Sequence, residues 1–173
     1  LLFGSDALEY RLRAAGARAV LTNALGLAKL RPIAARLPEL EVVLSTDGAD
    51  GAALDFHRLV ADTPALFEPV ASGPDDPALM IFTSGTTGPP KGALHAHRVL
   101  LGHLPGIGMA NESMPQPGDL MWTPADWAWA GGLLNALLPS LYWGVPVVAG
   151  RFERFDPETA LGLVERLRVR NAF

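Results

Sequence analysis

The sequence predicts an α/β fold, a mostly parallel β-sheet with flanking helices. Short apolar runs rich in β-branched residues alternate with helix-like stretches along the chain, and that alternation builds βαβ units. A bend rich in glycine and hydroxyl side chains follows directly on one strand-like run, Ala78-Leu79-Met80-Ile81. The carboxyl ends of strands are where parallel sheets bind ligands. With 49% hydrophobic and 18% charged residues, the 173-residue chain is long and apolar enough for one packed core.

Each element has a local reason. Ser5-Asp6 can cap a helix, with Glu9 placed as in a capping box; Leu8, Leu12 and Ala15 form its apolar stripe and Gly16 stops it. Arg18 to Thr22 reads as a strand. Asn23 caps a second helix carrying Leu25, Leu27, Leu30, Ile33 and Leu37, which Pro32 kinks or divides. Glu41 to Ser45 is a strand and Thr46 to Gly51 a loop. Asp47 and Asp50 lack the alternate acidic spacing and closing glutamate of a calcium loop, because position 58 is Arg58. Asp55 starts a short helix through Phe56, Leu59 and Val60. Four prolines, Pro64, Pro69, Pro74 and Pro77, make the stretch from Asp62 to Pro77 an irregular connector.

Beyond the bend, Gly92 to His97 reads as a strand. His95 and His97 then share a face. No carboxylate or cysteine lies near them in sequence to complete a metal set, so His97 is read as ending the strand and capping a helix from Arg98 to about Leu104. Pro105-Gly106 ends that helix, Asn111 to Gly118 is loop, and Asp119 to Thr123 is a strand. Gly132 to about Tyr142 forms a buried helix, and Val145 to Ala149 a strand in which Pro146 marks an edge or a first ladder position. Asp156 caps the last helix, with Pro157 in its first turn and Leu161, Val164 and Leu167 facing inward.

The bend itself, Phe82-Thr83-Ser84-Gly85-Thr86-Thr87-Gly88-Pro89-Pro90-Lys91-Gly92, has a chemistry. Glycines let backbone N–H groups approach a ligand closely. Thr83, Ser84, Thr86 and Thr87 supply hydroxyls and Lys91 one compact positive charge. Together these make a polyphosphate cradle. It is not a Walker A loop, since Gly92 and Ala93 follow Lys91 where that pattern has a hydroxyl for magnesium, and it holds no dinucleotide fingerprint.

Met80 to Gly92 resembles the phosphate-loop signature of the adenylate-forming, AMP-binding superfamily. A second stretch, Thr123-Pro124-Ala125-Asp126-Trp127-Ala128-Trp129-Ala130-Gly131-Gly132, is similar to the segment after that loop in acetyl- and medium-chain acyl-CoA synthetases. The order of the lesser elements extends the resemblance over essentially the whole chain. It implies ATP-dependent activation of a short- or medium-chain carboxylic acid to an acyl-adenylate, then capture by coenzyme A as a thioester. ATP, Mg2+ and coenzyme A are the implied cofactors and co-substrates.

On that reading Thr83 and Lys91 are the candidate catalytic groups. Thr83, Ser84, Gly85, Thr86, Thr87, Gly88 and Lys91 form the nucleotide-binding set, and Trp127, Trp129, Gly131 and Gly132 the acyl-binding set. No side chain is assigned to a metal. The tryptophans admit two readings, as a wall of an acyl pocket with the two glycines leaving room beside it, or as core aromatics. The superfamily's later Tyr-Gly-x-Thr-Glu segment does not occur in this sequence. Residues 1–173 are therefore expected to be a partial adenylation domain, cut at both ends and without the small C-terminal domain, unable alone to complete a turnover. The alternatives are a non-catalytic nucleotide-binding module and a structural domain with a vestigial loop.

Composition narrows the rest. A net charge of −4 and a pI near 5.5 argue against a nucleic-acid surface. The lack of cysteine excludes disulfides and a thiol nucleophile, and fits a cytoplasmic protein. Trp127 to Gly150 carries no charge, but Gly131-Gly132, Asn135, Pro139, Gly144 and Pro146 break it into pieces too short for a membrane span.

Overall fold

The structure is a computed structural model that describes residues 3–83, 88–150, 152 and 155–173. The chain divides into two compact units, Leu1–Ala71 with Phe82–Ala93 and Ser72–Ile81 with Leu94–Phe173.

In the first unit, helix α1 (Ser5–Ala14) leads to strand β1 (Ala19–Thr22). Its N-cap is Gly4, which makes no side-chain cap. The expected capping box of Asp6 and Glu9 does not form, because the N-cap falls two residues earlier, at Gly4. Ser5 is drawn into its first turn and donates its hydroxyl to Lys29 O at 2.9 Å. Glu9 reaches Arg36 at 2.8 Å instead. Gly16 does end α1, at φ +57°, a left-handed conformation that glycine takes without penalty. Leu8 and Leu12 face inward, and Ala15, past the last turn, is exposed.

Asn23 caps α2 (Ala24–Leu30), accepting from Gly26 N at 3.0 Å. Pro32 cannot donate an α-helical hydrogen bond, and the chain tightens into a 3-10 helix, Arg31–Arg36. Together these carry Leu30, Ile33 and Leu37, which form the unit's core with Leu8, Leu12, Val20, Leu40 and Val43. Ile33 is 1% exposed, and burying such a side chain contributes about 1.5–3 kcal/mol. Strand β2 (Val42–Ser45) lies parallel to β1, with Ala19 opposite Val42 and Thr22 opposite Ser45. A short strand β3 (Leu54–Asp55), absent from the sequence reading, adds parallel to β2. Asp55 then caps α3 (Phe56–Asp62), accepting from Arg58 N at 3.1 Å.

Strand β4 (Pro77–Thr83) pairs with β5 (Lys91–Ala96) in a two-stranded sheet. In the second unit, α4 (Val99–Ala110) runs straight through Pro105, and its N-cap is Arg98, with no side-chain cap. Both readings of this helix are therefore corrected. His97 does not cap it, since the cap position falls one residue later and no side chain bonds there; the His97 N–H donates to Asp76 O at 3.1 Å. The helix stops only at Asn111, whose side chain donates to Ile107 O at 2.9 Å.

Strand β6 (Met121–Trp122) pairs parallel with β7 (Asn171–Ala172). On its other side Met121 makes a single parallel bridge to Val147. The strand expected over 145–149 reduces to that bridge. Met121 N donates to Pro146 O and Val148 N to Met121 O, so Pro146 serves only as an acceptor, the one role left to its backbone. Met121, fully buried, centres a core with Met114, Ala136 and Val145.

The expected buried helix after the second motif is a π-helical turn, Gly132–Leu137, continued by α5 (Leu138–Trp143) and ended at Gly144 at φ +71°. Asp156 caps α6 (Pro157–Leu167), accepting from Thr159 N at 2.8 Å. Ala160 is its buried residue, while Leu161 and Leu167, expected inside, are exposed. Among the described residues no helix is long and apolar enough to cross a membrane.

Candidate active site

The two stretches singled out in the sequence lie in different units, and each has its own geometry. In the first unit, Thr83 is the last residue of β4 and Lys91 the first of β5. Ser84, Gly85, Thr86 and Thr87 lie outside the described residues. Gly88 takes φ +84° with open space where a side chain would stand. Lys91 is exposed, and no described carboxylate lies within ion-pair distance of it. Tyr10 of α1 flanks both ends of the segment. Its hydroxyl donates to Pro90 O at 2.8 Å, and its ring meets Phe82 edge-on at 6.4 Å between centroids. The guanidinium of Arg11 lies over the Phe3 ring at 3.9 Å and faces Phe82 at 5.8 Å.

In the second unit a cavity of about 490 Å³ opens beyond β6. One wall is residues 123–127; the other is residues 148–150 with Phe152. Thr123 shapes the first wall: its hydroxyl accepts from Ala125 N at 3.0 Å and donates to Phe173 O at 2.8 Å. Asp126 turns the chain next, its carboxylate accepting from Ala128 N at 2.8 Å and its carbonyl from Trp129 N at 3.0 Å. Phe152 meets Trp122 edge-on at 6.3 Å.

Of the four residues assigned to acyl binding, Trp127 lines this cavity. Trp129 is 49% exposed and is not among its lining residues. Gly131 and Gly132 leave no open room. A Cβ on Gly131 would lie 2.7 Å from the Phe173 ring, and one on Gly132 2.6 Å from Asp126 O. Their small size serves close packing of the turn. The second wall escaped the sequence reading. Gly150 ends the strand-like run 145–149, and the rule that ligands sit at strand carboxyl ends was the available signal. Phe152 has no signal in its spacing. His103 of α4 shares a hydrogen bond between its Nδ1 and Asn135 Oδ1 at 3.1 Å. Among the described residues no three His, Cys, Asp or Glu side chains gather to hold a metal ion.

The described residues thus form an α/β chain with parallel strands, with Thr83 ending β4 and Lys91 opening β5 in the first unit and a cavity beyond β6 in the second. The profile of one family, AMP-binding enzyme, matches residues 1–173. The chain belongs to the AMP-binding enzyme family. It is 29% identical over 159 residues to the mitochondrial acyl-coenzyme A synthetase ACSM2 of Rattus norvegicus, covering 91% of this chain and 27% of the relative. It is 29% identical over 193 residues to the acetyl-coenzyme A synthetase of Pasteurella multocida, covering 96% and 28%.

Among solved structures, it is similar to a Brucella canis acyl-CoA synthetase, with a TM-score of 0.79 and 30% identity over 99% of this chain and 31% of that one. It is also similar to the anthranilate CoA ligase AuaEII, solved in complex with anthranoyl-AMP, with a TM-score of 0.83 and 25% identity over 95% and 32%. The chain thus spans under a third of the length of these relatives.

Proposed function

We propose that this chain is part of an enzyme that activates a carboxylic acid with ATP, forming an acyl-adenylate and then a coenzyme A thioester. Its share is the phosphate-binding segment 83–91 and one side of the acyl pocket. The observation that carries the reading is Lys91, an exposed cation without a described carboxylate partner, opening β5 directly after the glycine- and hydroxyl-rich segment. A cation left unpaired beside such a segment suits a polyphosphate, whose oxygens it would meet as a point charge. The AuaEII structure holds an acyl-AMP, the intermediate this reading requires.

The chemistry asks little of the protein's own nucleophiles, because the substrate carboxylate attacks the α-phosphorus and pyrophosphate leaves. The chain's task is to hold the triphosphate and meet the charge that develops on it. Thr83, Ser84, Thr86 and Thr87 would donate to phosphate oxygens, with Gly85 and Gly88 allowing close approach. Lys91 would lie along the leaving pyrophosphate. Magnesium ions are commonly held by substrate phosphates and one or two carboxylates. Here the metal would arrive as MgATP and supply charge neutralisation. The cavity walled by Trp127 and Phe152 would take the apolar body of a short- or medium-chain acid.

Calorimetric titration of MgATP into this chain tests the reading, with Lys91→Met as the control. One charge-assisted contact contributes about 1.5–3 kcal/mol, so the substitution weakens binding about tenfold to a hundredfold and leaves the melting midpoint unchanged. Equal affinity of wild-type and variant would sink the reading. These residues alone, lacking a Tyr-Gly-x-Thr-Glu segment, give no acid-dependent exchange of pyrophosphate into ATP. Exchange by the isolated chain would overturn the division of labour proposed here.

A further inference from the structure

Tyr10 touches the phosphate-binding segment at two places a sequence reading does not connect. Its hydroxyl donates to the carbonyl of Pro90 at 2.8 Å, the residue immediately before Lys91. That distance is the favoured one for O–H···O bonds. Its ring packs edge-on against Phe82, the residue immediately before Thr83, at an interplanar angle of 73°. Edge-to-face contacts of this kind hold rings in a preferred orientation. One side chain, fixed on α1, thus grips the entrance and the exit of the segment that carries the hydroxyls and the lysine.

The anchoring helix is itself well held. Ser5 donates to Lys29 O, Glu9 pairs with Arg36, and Leu8 and Leu12 pack into the Leu30, Ile33 and Leu37 core. Arg11, beside Tyr10, braces the Phe82 ring from the same helix. A binding constellation stays in productive geometry only when such a supporting shell locks its ends. Tyr10 is 38% exposed and offers little to the core, so its two specific contacts account for its placement better than burial does.

We propose that Tyr10 is a positioning residue for the nucleotide segment: its hydroxyl sets the start of β5, and with it the reach of Lys91, while its ring sets the end of β4 at Thr83. The proposal rests on the phosphate-binding reading of 83–91 for its consequence, and on the two contacts alone for its geometry.

Two substitutions separate the contacts. Tyr10→Phe keeps the ring and removes the hydroxyl; Tyr10→Leu removes both. Amide hydrogen exchange, read without nucleotide, rises at Lys91 and Gly92 in Tyr10→Phe while Phe82 and Thr83 keep their protection, and rises at both ends in Tyr10→Leu. In the same proteins the MgATP dissociation constant increases about threefold to tenfold for Tyr10→Phe, with the melting midpoint within a degree or two of wild-type. That corresponds to one neutral hydrogen bond. In the Lys91→Met background, removing the hydroxyl has no further effect, because residues acting through one contact are not additive.

Unchanged exchange at Lys91 and Gly92 in Tyr10→Phe overturns the proposal. So does altered exchange with unchanged MgATP affinity, and so does an affinity loss fully additive with Lys91→Met. If the wild-type chain itself fails to bind MgATP, the nucleotide reading falls, and the proposed positioning for a nucleotide falls with it; the exchange pattern then separately decides whether Tyr10 grips the two ends.

Discussion

The carbonyl oxygen of Asp126 occupies the place where Gly132 would carry a side chain: a Cβ there would stand 2.6 Å away. A Cβ on the neighbouring Gly131 would stand 2.7 Å from the Phe173 ring. The two contacts look alike in distance but not in consequence. The Asp126 carbonyl is main chain, fixed by the bond from Trp129 N and by the turn that shapes the cavity wall. The Phe173 side chain is half exposed and can swing aside. Gly132→Ala gains at most about 1 kcal/mol of helix propensity against an overpacking cost of about 1–3 kcal/mol. The net effect is a lower melting midpoint. Gly131→Ala melts close to wild-type. Thermal denaturation of the pair checks this, and equal midpoints would contradict the assignment of Asp126 as a rigid neighbour.

Trp127 and Trp129 separate in the same way. Trp127 lines the cavity and Trp129 does not. With MgATP present, Trp127→Leu weakens binding of a medium-chain carboxylic acid about fivefold to thirtyfold, the equivalent of about 1–2 kcal/mol of apolar contact. Trp129→Leu changes it by no more than about twofold. Calorimetry with the acid as titrant reads both, and a larger loss at Trp129 would move the acyl site away from this cavity.

The cap of α6 gives a pH dependence. Hydrogen bonding from Thr159, side chain first and then backbone, holds the Asp156 carboxyl below its ordinary value. A lowered native pKa means that the ionised form stabilises the fold. That contribution is complete above the ordinary aspartate range, about pH 4, and disappears as the pH falls through the lowered native value. The melting midpoint of Asp156→Ala therefore lies below wild-type near neutrality, and the gap narrows below about pH 4. A gap independent of pH would show that the carboxylate's charge is irrelevant to the cap.

Much of the fold was legible because its signals are local. Asn23, Asp55 and Asp156 cap helices by contacts to residues three positions on, and Gly16 ends α1 with its own backbone. The parallel pairing of β1 with β2 follows from the alternation of strand and helix. The misreadings share a different cause. Pro105 predicts a helix end, yet α4 continues through it to Ala110, since proline removes one hydrogen bond but does not oblige the chain to turn. The 145–149 segment reads as a full strand, but its neighbour β6 offers only two residues to pair with and one bridge forms. In the candidate site, the hydroxyls and lysine announce themselves by composition. Tyr10 and Phe152 do not, because what recommends them is proximity across long sequence separations, which no spacing rule encodes.

Strand β6 draws both of its partners from later in the chain, Val147 on one side and Asn171–Ala172 on the other. Synthesis runs the opposite way to that dependence. Met121 and Trp122 leave the ribosome with two bare edges, and one stays bare until α6 has emerged and Asn171 follows it. An apolar strand with an open edge is a template for the wrong neighbour.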